Sequence, residues 1–177
     1  MNLVRQIEEY LPRQLLELVK NISTQADKLG GRAYLVGGVV RDLLLGCPTF
    51  DLDLVIEGDA VKLAQQIAGI SQAKLVMHPR FGTAKLSYGN FTLDMATARS
   101  EVYAKPGALP TVAPGTLNND LSRRDFSINA MAISLAPNNY GELLDPYQGN
   151  YDLEHHLIRI LHPKSFSDDA TRILRAI

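Results

Sequence analysis

The segment Asp51-Leu52-Asp53-Leu54-Val55-Ile56 alternates acidic and apolar residues before turning wholly apolar. A period of two is that of a strand with one buried face. That face must meet a core while the other presents two carboxylates, so the chain is committed to a sheet with an open, polar side. Just upstream, Ala33-Tyr34-Leu35-Val36 forms a second short apolar strand ending in Gly37-Gly38. Val39 to Leu45 follows as a brief helix with Arg41 and Asp42 in its first turn.

Elsewhere the pattern alternates between helix and strand. Leu11, Leu15, Leu18, Val19, Ile22, Ala26 and Leu29 recur at three- and four-residue steps and make one helical stripe. Pro12 suits its first turn and Gly30-Gly31 its end. Gly58-Asp59 opens a further helix over Ala60 to Ala68. Lys74–Met77, Thr83–Tyr88 and Phe91–Thr97 read as strands, the last two joined as a hairpin at Gly89-Asn90. Prolines and glycines from Lys105 to Gly115 predict a loop. Leu117 to Leu135 holds a helix and a strand without a legible boundary, and Leu157 to Leu161 is a last short strand or helix. Ser167 predicts an N-cap, with Asp168 and Asp169 in the first turn of a helix whose apolar face, Ile173-Leu174-Ile177, has only begun. Such a short helix is marginal alone, so a continuation or a partner is expected to complete it.

Composition narrows the function classes. A chain of 177 residues with 46% apolar residues suits one domain, or one domain and the start of another. No run nears the roughly 18 apolar residues of a membrane span. Met1 to Tyr10 carries Glu8 and Glu9 rather than a signal-like apolar block, so a cytoplasmic location is expected. The single Cys47 excludes an internal disulfide framework and a Cys-rich zinc site. The net charge of −1 argues against a domain that grips nucleic acid unaided, because phosphate contacts dominate such affinity. RNA, if it is the partner, is held by local basic patches or by another part of the protein.

Four groups carry candidate chemistry. Asp51 and Asp53, two apart on a strand, share a face about 6.5–7 Å apart and can begin a two-metal site. Mg²⁺ suits such carboxylates because it leaves room for substrate phosphates. In isolation, an Asp-x-Asp is more often a solvated strand face. Gly37-Gly38 lets the backbone approach an anionic ligand closely, although a glycine pair more often simply connects two elements. Asp94, an acid inside an apolar strand, needs a partner: either a metal shared with Asp51 and Asp53, or a salt bridge to Arg99 or another base. In Arg123-Arg124-Asp125-Phe126-Ser127-Ile128-Asn129-Ala130, the arginines match phosphate oxygens, and Asp125 and Asn129 match ribose hydroxyls or a base edge. A solvated helix face explains the same composition. His155-His156 has no companion at metal-ligand spacing and reads as surface.

Taken in order, Leu35-Val-Gly-Gly-Val-Val-Arg-Asp42, Asp51-Leu-Asp53 and Arg123-Arg-Asp-Phe-Ser-Ile-Asn-Ala130 resemble the tRNA nucleotidyltransferase and bacterial poly(A) polymerase family, in its bacterial and eukaryotic class II. Arg80-Phe-Gly-Thr83, Asp145-Pro146 with Gly149, Asp152-Leu153, Ile158-Arg159 and Asp169-Ala-Thr-Arg172-Ile-Leu-Arg175 extend the likeness from about Tyr34 to the chain's end. The resemblance implies an α+β, DNA polymerase beta-like fold, a small mixed sheet flanked by helices. It divides the chain into an N-terminal helical segment (1–30), a nucleotidyltransferase head (31–166) and the start of a neck helix (167–177).

The same likeness implies the roles. Two Mg²⁺ ions would sit on Asp51 and Asp53 with Asp94 beside them. Gly37, Gly38 and Arg41 would meet the incoming triphosphate. Arg123, Arg124, Asp125 and Asn129 would hold the phosphates and sugar of ATP or CTP. The partner would be an RNA 3′ end, in first place tRNA, receiving a CMP or AMP. Ala98 to Gly107 looks like the family's flexible loop associated with adding the terminal A. Ile56-Glu-Gly-Asp-Ala60 and Pro106-Gly-Ala-Leu-Pro110 look closest to A-adding and poly(A) polymerase-like members. The neck motif Glu-Asp-x-x-Arg, which selects ATP or CTP, and the body and tail domains that grip tRNA are expected to be missing from this chain. Poly(A) polymerase activity, CC addition and a nucleotide-binding module without turnover are the alternatives.

Overall fold

The computed structural model describes residues 1–102 and 111–176. Two helices, α1 (Val4–Tyr10) and α2 (Arg13–Lys28), lead into β1 (Arg32–Val36), α3 (Gly38–Leu44), β2 (Asp51–Glu57), α4 (Ala60–Ser71), β3 (Lys74–His78), β4 (Thr83–Tyr88) and β5 (Phe91–Thr97). Then come β6 (Arg99–Val102), β7 (Thr111–Pro114), α5 (Leu117–Ser122), β8 (Ala132–Ser134), β9 (Leu143–Leu144), α6 (Gly149–Glu154), α7 (Ser165–Asp168) and α8 (Thr171–Leu174). Seven strands form one sheet in the order β3-β4-β5-β2-β1-β8-β9, while β6 and β7 make a separate ribbon. Only β2 and β5 run parallel. The expected mixed sheet is therefore present, with one parallel pair at its centre.

The strand alternation sorts the side chains by face. Leu52, Leu54 and Ile56 of β2 join Leu35, Leu86, Leu93 and Met95 beneath Leu15, Ile22, Leu63 and Ile67 of α2 and α4 in the main core. Each fully buried aliphatic chain of this kind contributes about 1.5–3 kcal/mol. On the opposite face a smaller cluster, Tyr34, Val36, Val55 and Ala132, packs under Leu117 and Leu121 of α5. The rest of that face, carrying Asp51 and Asp53, stays uncovered. Two of the flanking helices start on side-chain caps: Asp59 accepts the Lys62 amide at 2.9 Å for α4, and Thr116 and Asn119 cap each other for α5.

Three local expectations are corrected. The stretch read as a loop from Lys105 to Gly115 contains β7, whose edge position tolerates Pro114; 103–110 lie outside the described residues. Leu157–Leu161 forms neither strand nor helix, and only Ile160 bridges to Phe126. The helical stripe stands as expected, with Pro12 as the N-cap of α2, and the separate helix α1 precedes it. Ser167 lies within α7 and caps nothing: the chain turns extended at Asp169, whose carboxylate takes the Thr171 amide and hydroxyl at 2.9 and 2.6 Å. That side-chain turn competes with the helix and splits it.

Gly149 is a close approach rather than a turn. A Cβ there would lie 2.3 Å from the Ser127 carbonyl oxygen and 2.9 Å from Met131 Cγ. Gly149→Ala is expected to lower stability by about 2 kcal/mol through overpacking, whereas Gly69→Ala in open space on α4 raises it by roughly 0.5–1 kcal/mol. Paired urea titrations check both signs.

Candidate active site

The parallel register sets Asp53 opposite Asp94 and Asp51 opposite Thr92. Antiparallel pairing of β4 with β5 then sets Lys85 opposite Asp94. Lys85, Asp94 and Asp53 make a row across three strands on the open face. Thr92 donates its hydroxyl to Asp51, and Lys85 Nζ lies 2.9 Å from Asp94 Oδ2. Of the two partners open to Asp94, the structure supplies the base, and it is Lys85; Arg99 instead pairs with Glu101 at 2.9 Å. Asp94 also stands beside Asp53, so a place at the site and an ion pair coexist.

The row opens into a cleft of about 930 Å³. Its walls include Gly37, Gly38, Arg41, Asp53, Asp94, Arg123, Arg124, Asp125 and Asn129; Asp51, at the strand's exposed start, is not part of the lining. Gly37 has φ +73°, and a Cβ on it would meet Arg124 Nη1 at 2.8 Å. Both the turn and the arginine need glycine there. Arg41 Nη1 donates to Asn129 Oδ1 at 3.0 Å, and Asn129 Nδ2 to Asp125 Oδ1 at 3.1 Å. This wall rests on α6, where buried Asp152 takes the Ser127 hydroxyl at 2.5 Å and Arg159 at 2.8 Å.

Asp120 organises the adjacent arginines. Its fully buried carboxylate receives Arg123 Nε at 3.0 Å and Nη2 at 2.5 Å on one oxygen, and Arg124 Nη2 at 2.9 Å on the other. Arg123 also reaches Glu101 on β6 at 3.3 Å. The reading of Arg123-Arg124 as a solvated face fails, since each is tied to a buried acid. Spacings of three and four on a helix were the signal for Asp120; for Lys85 it was the two-residue turn at Gly89-Asn90, which pairs Tyr88 with Phe91 and so Lys85 with Asp94.

Burial leaves the Asp53 carboxylate undercompensated. Crowding by the cleft walls raises the Asp53 carboxyl above its ordinary range; Arg124 and Lys85 pull it down, and Asp94 and Asp51 push it up. The hydrogen bond to Asp94, followed by that acid's charge, holds the Lys85 ammonium above its usual value. A divalent cation would relieve the same deficit, and an all-oxygen donor set suits Mg²⁺ over a softer metal. Among the described residues no three such side chains already converge on one point, so substrate phosphates would have to complete the coordination.

The C-terminal turns also reach the cleft. Asp169, Arg172 and Arg175 line it. Arg175 Nη1 lies 3.2 Å from Asp125 Oδ2, and Arg172 Nη2 donates to the Arg123 carbonyl at 2.7 Å. These turns hold the string nearest to the neck motif. Asp168-Asp169-Ala170-Thr171-Arg172 is one methylene short of Glu-Asp-x-x-Arg, and two of its members face the same space as the carboxylates.

A central sheet with this carboxylate row defines a DNA polymerase beta-like nucleotidyltransferase fold. Residues 33–159 match the model of the poly(A) polymerase head domain, and the chain belongs to that family, whose members are generally metal-dependent. It is 50% identical, over 99% of its length and 42% of the relative's, to the A-adding tRNA nucleotidyltransferase of Halalkalibacterium halodurans. It is 43% identical to the CC-adding tRNA nucleotidyltransferase of Deinococcus radiodurans over 80% of its length and 38% of the relative's. Among solved structures it matches a CCA-adding enzyme in an apo form with a TM-score of 0.92 and 42% identity, over 99% of this chain and 42% of that one. A tRNA nucleotidyltransferase complexed with a primer tRNA and an incoming ATP analog matches with a TM-score of 0.79 and 48% identity, over 88% of this chain and 43% of that one. The chain spans about two fifths of these relatives. No helix among the described residues is long and apolar enough to cross a membrane.

Replacing Asp120 by Ala strands two arginines beside an empty pocket. A loss of about 3–5 kcal/mol is expected, read from the urea midpoint, with Asp120→Asn losing less.

Proposed function

We propose that this chain is the catalytic head of a tRNA nucleotidyltransferase that transfers AMP from ATP to an RNA 3′ end. The observation that carries the reading is the register of Asp53 with Asp94 in one cleft with the Gly37 turn and Arg124. Pure nucleotide binding has no need of aligned carboxylates. Asp51 and Asp53 would hold two Mg²⁺ ions, with Asp94 beside them. When bound, the ions supply Lewis-acid stabilisation of the attacking 3′-oxygen and of the departing pyrophosphate.

The chain's own groups do the positioning. Gly37 and Gly38 leave room for the triphosphate against the backbone, and Arg41 and Arg124 flank it. Arg123 supports that wall, and Asp125 and Asn129 orient the ribose. Asp169 and Arg172 face the base and choose it, as the matching neck motif implies. The RNA 3′-hydroxyl then attacks the α-phosphorus in line; the new P–O bond forms as the bond to pyrophosphate breaks. The tRNA is gripped mainly by regions of the protein outside this chain, in keeping with its net charge of −1, and the work is cytoplasmic.

Addition of the terminal A is the specific reaction favoured, because the relatives of Halalkalibacterium halodurans and Aquifex aeolicus both carry the A-adding name. CC addition is the second reading, on the strength of the Deinococcus radiodurans relative. A product-length assay decides, using the complete protein, ATP or CTP, and tRNAs ending before the first C or before the A. A single added A on tRNA ending in CC supports the proposal; a long adenylate tail points to poly(A) polymerase, and two added Cs to CC addition. The double Asp51→Ala, Asp53→Ala protein should lose transfer at least about 10³-fold with its melting temperature nearly unchanged; retained transfer would sink the mechanism. Asp169→Ala should compress the ratio of kcat/KM for ATP over CTP by roughly tenfold or more.

A further inference from the structure

Lys85 stands where none of these roles uses it. The row of facing residues continues past the acids: Asp53 faces Asp94, Asp94 faces Lys85, and Lys85 faces Val76 on the edge strand. Neighbouring strands are about 4.8 Å apart, so the Lys85 backbone lies roughly 10 Å from that of Asp53. Its ammonium spans most of that gap and ends 2.9 Å from Asp94 Oδ2.

Two cations thus flank the acidic pair, and they are held in unlike ways. Arg124 is fixed by Asp120 and the Asn129 carbonyl. Lys85 has a flexible four-carbon stem, and Asp94 alone holds it among the described residues. Both partners are about half exposed, at 47% and 50%. An ion pair so wet contributes little, and its lysine end can swing away at small cost.

We infer that Lys85 is a resident counter-ion for Asp94 that an arriving divalent cation must displace, so that this lysine sets how much metal is needed to load the site. The inference rests on the proposed metal-holding role of Asp51 and Asp53. The ammonium occupies Asp94 Oδ2, so a divalent ion drawing on that carboxylate must compete with Lys85 for its charge. The monovalent charge keeps the acids from repelling one another while the site is empty, and a divalent charge outcompetes it when present. Lys85 is a positioning residue in this scheme, since it acts through Asp94.

Mn²⁺ uptake by the complete protein tests this without any turnover, read from the loss of the free-ion electron paramagnetic signal. Lys85→Met keeps the stem and removes the charge, and it should tighten Mn²⁺ binding roughly threefold to tenfold. Lys85→Arg, which keeps the charge, should bind as the unaltered protein does. In an Asp94→Asn background the Lys85→Met change should add nothing, because the displaced contact is already gone. Thermal melts of the variants confirm that the fold is kept. Unchanged or weaker Mn²⁺ binding by Lys85→Met overturns the inference if Asp53→Asn still abolishes uptake. If the unaltered protein shows no Asp53-dependent uptake, the metal-site reading falls and this inference falls with it.

Discussion

The parallel pairing of β2 with β5 is the constraint on which the cleft depends. Adjacent strands in chain order can pair through a tight turn, but a parallel pair requires a crossover. Here the crossover consists of α4, β3 and β4. It carries the apolar face of α4 onto the main core and brings the chain back so that Asp94 lands opposite Asp53. A slip of one residue would put Leu93 or Met95 on the polar face and bury the acid. The apolar residues on either side of each aspartate therefore guard the register of the site as well as filling the core.

Much of this was legible in the residues. The alternation from Asp51 to Ile56, the Gly37-Gly38 turn and the hairpin at Gly89 follow from local periodicity and turn chemistry, and they stand where expected. The cross-strand partners were only partly legible. The hairpin turn at Gly89-Asn90 does pair Lys85 with Asp94, but nothing local says that Asp94 will face Asp53, because that parallel pairing is made after a crossover. The C-terminal turns were misread for a different reason. Ser167 and Asp169 are both credible cap residues, and the outcome was decided by Thr171, whose amide and hydroxyl both turn to Asp169. Likewise β7 was hidden by its own proline, which is tolerable only because the ribbon has a free edge.

The electrostatics of the cleft show how a chain of net charge −1 can present a phosphate site. Positive charge is concentrated at Arg41, Arg123, Arg124, Arg172 and Arg175 along one wall, facing the acids of β2 and β5 across the opening. Each arginine is fastened by a carboxylate, a carbonyl or an amide oxygen of the chain itself. The wall is thus preorganised: the donors are aimed before any ligand enters, and less side-chain freedom is left to lose.

The buried carboxylate of Asp120 has a consequence for turnover. Because it already pairs with Arg123 and Arg124 from behind, those guanidiniums keep a counter-charge each time an anion leaves. A wall of unpaired arginines would cling to every polyphosphate, spent product included. Arginines that keep an internal partner hold an incoming anion with their outward edge and let it go without stranding a charge. The proposed transfer, with pyrophosphate leaving after each addition, would benefit from this moderated grip, which fully buried Asp120 supplies from behind.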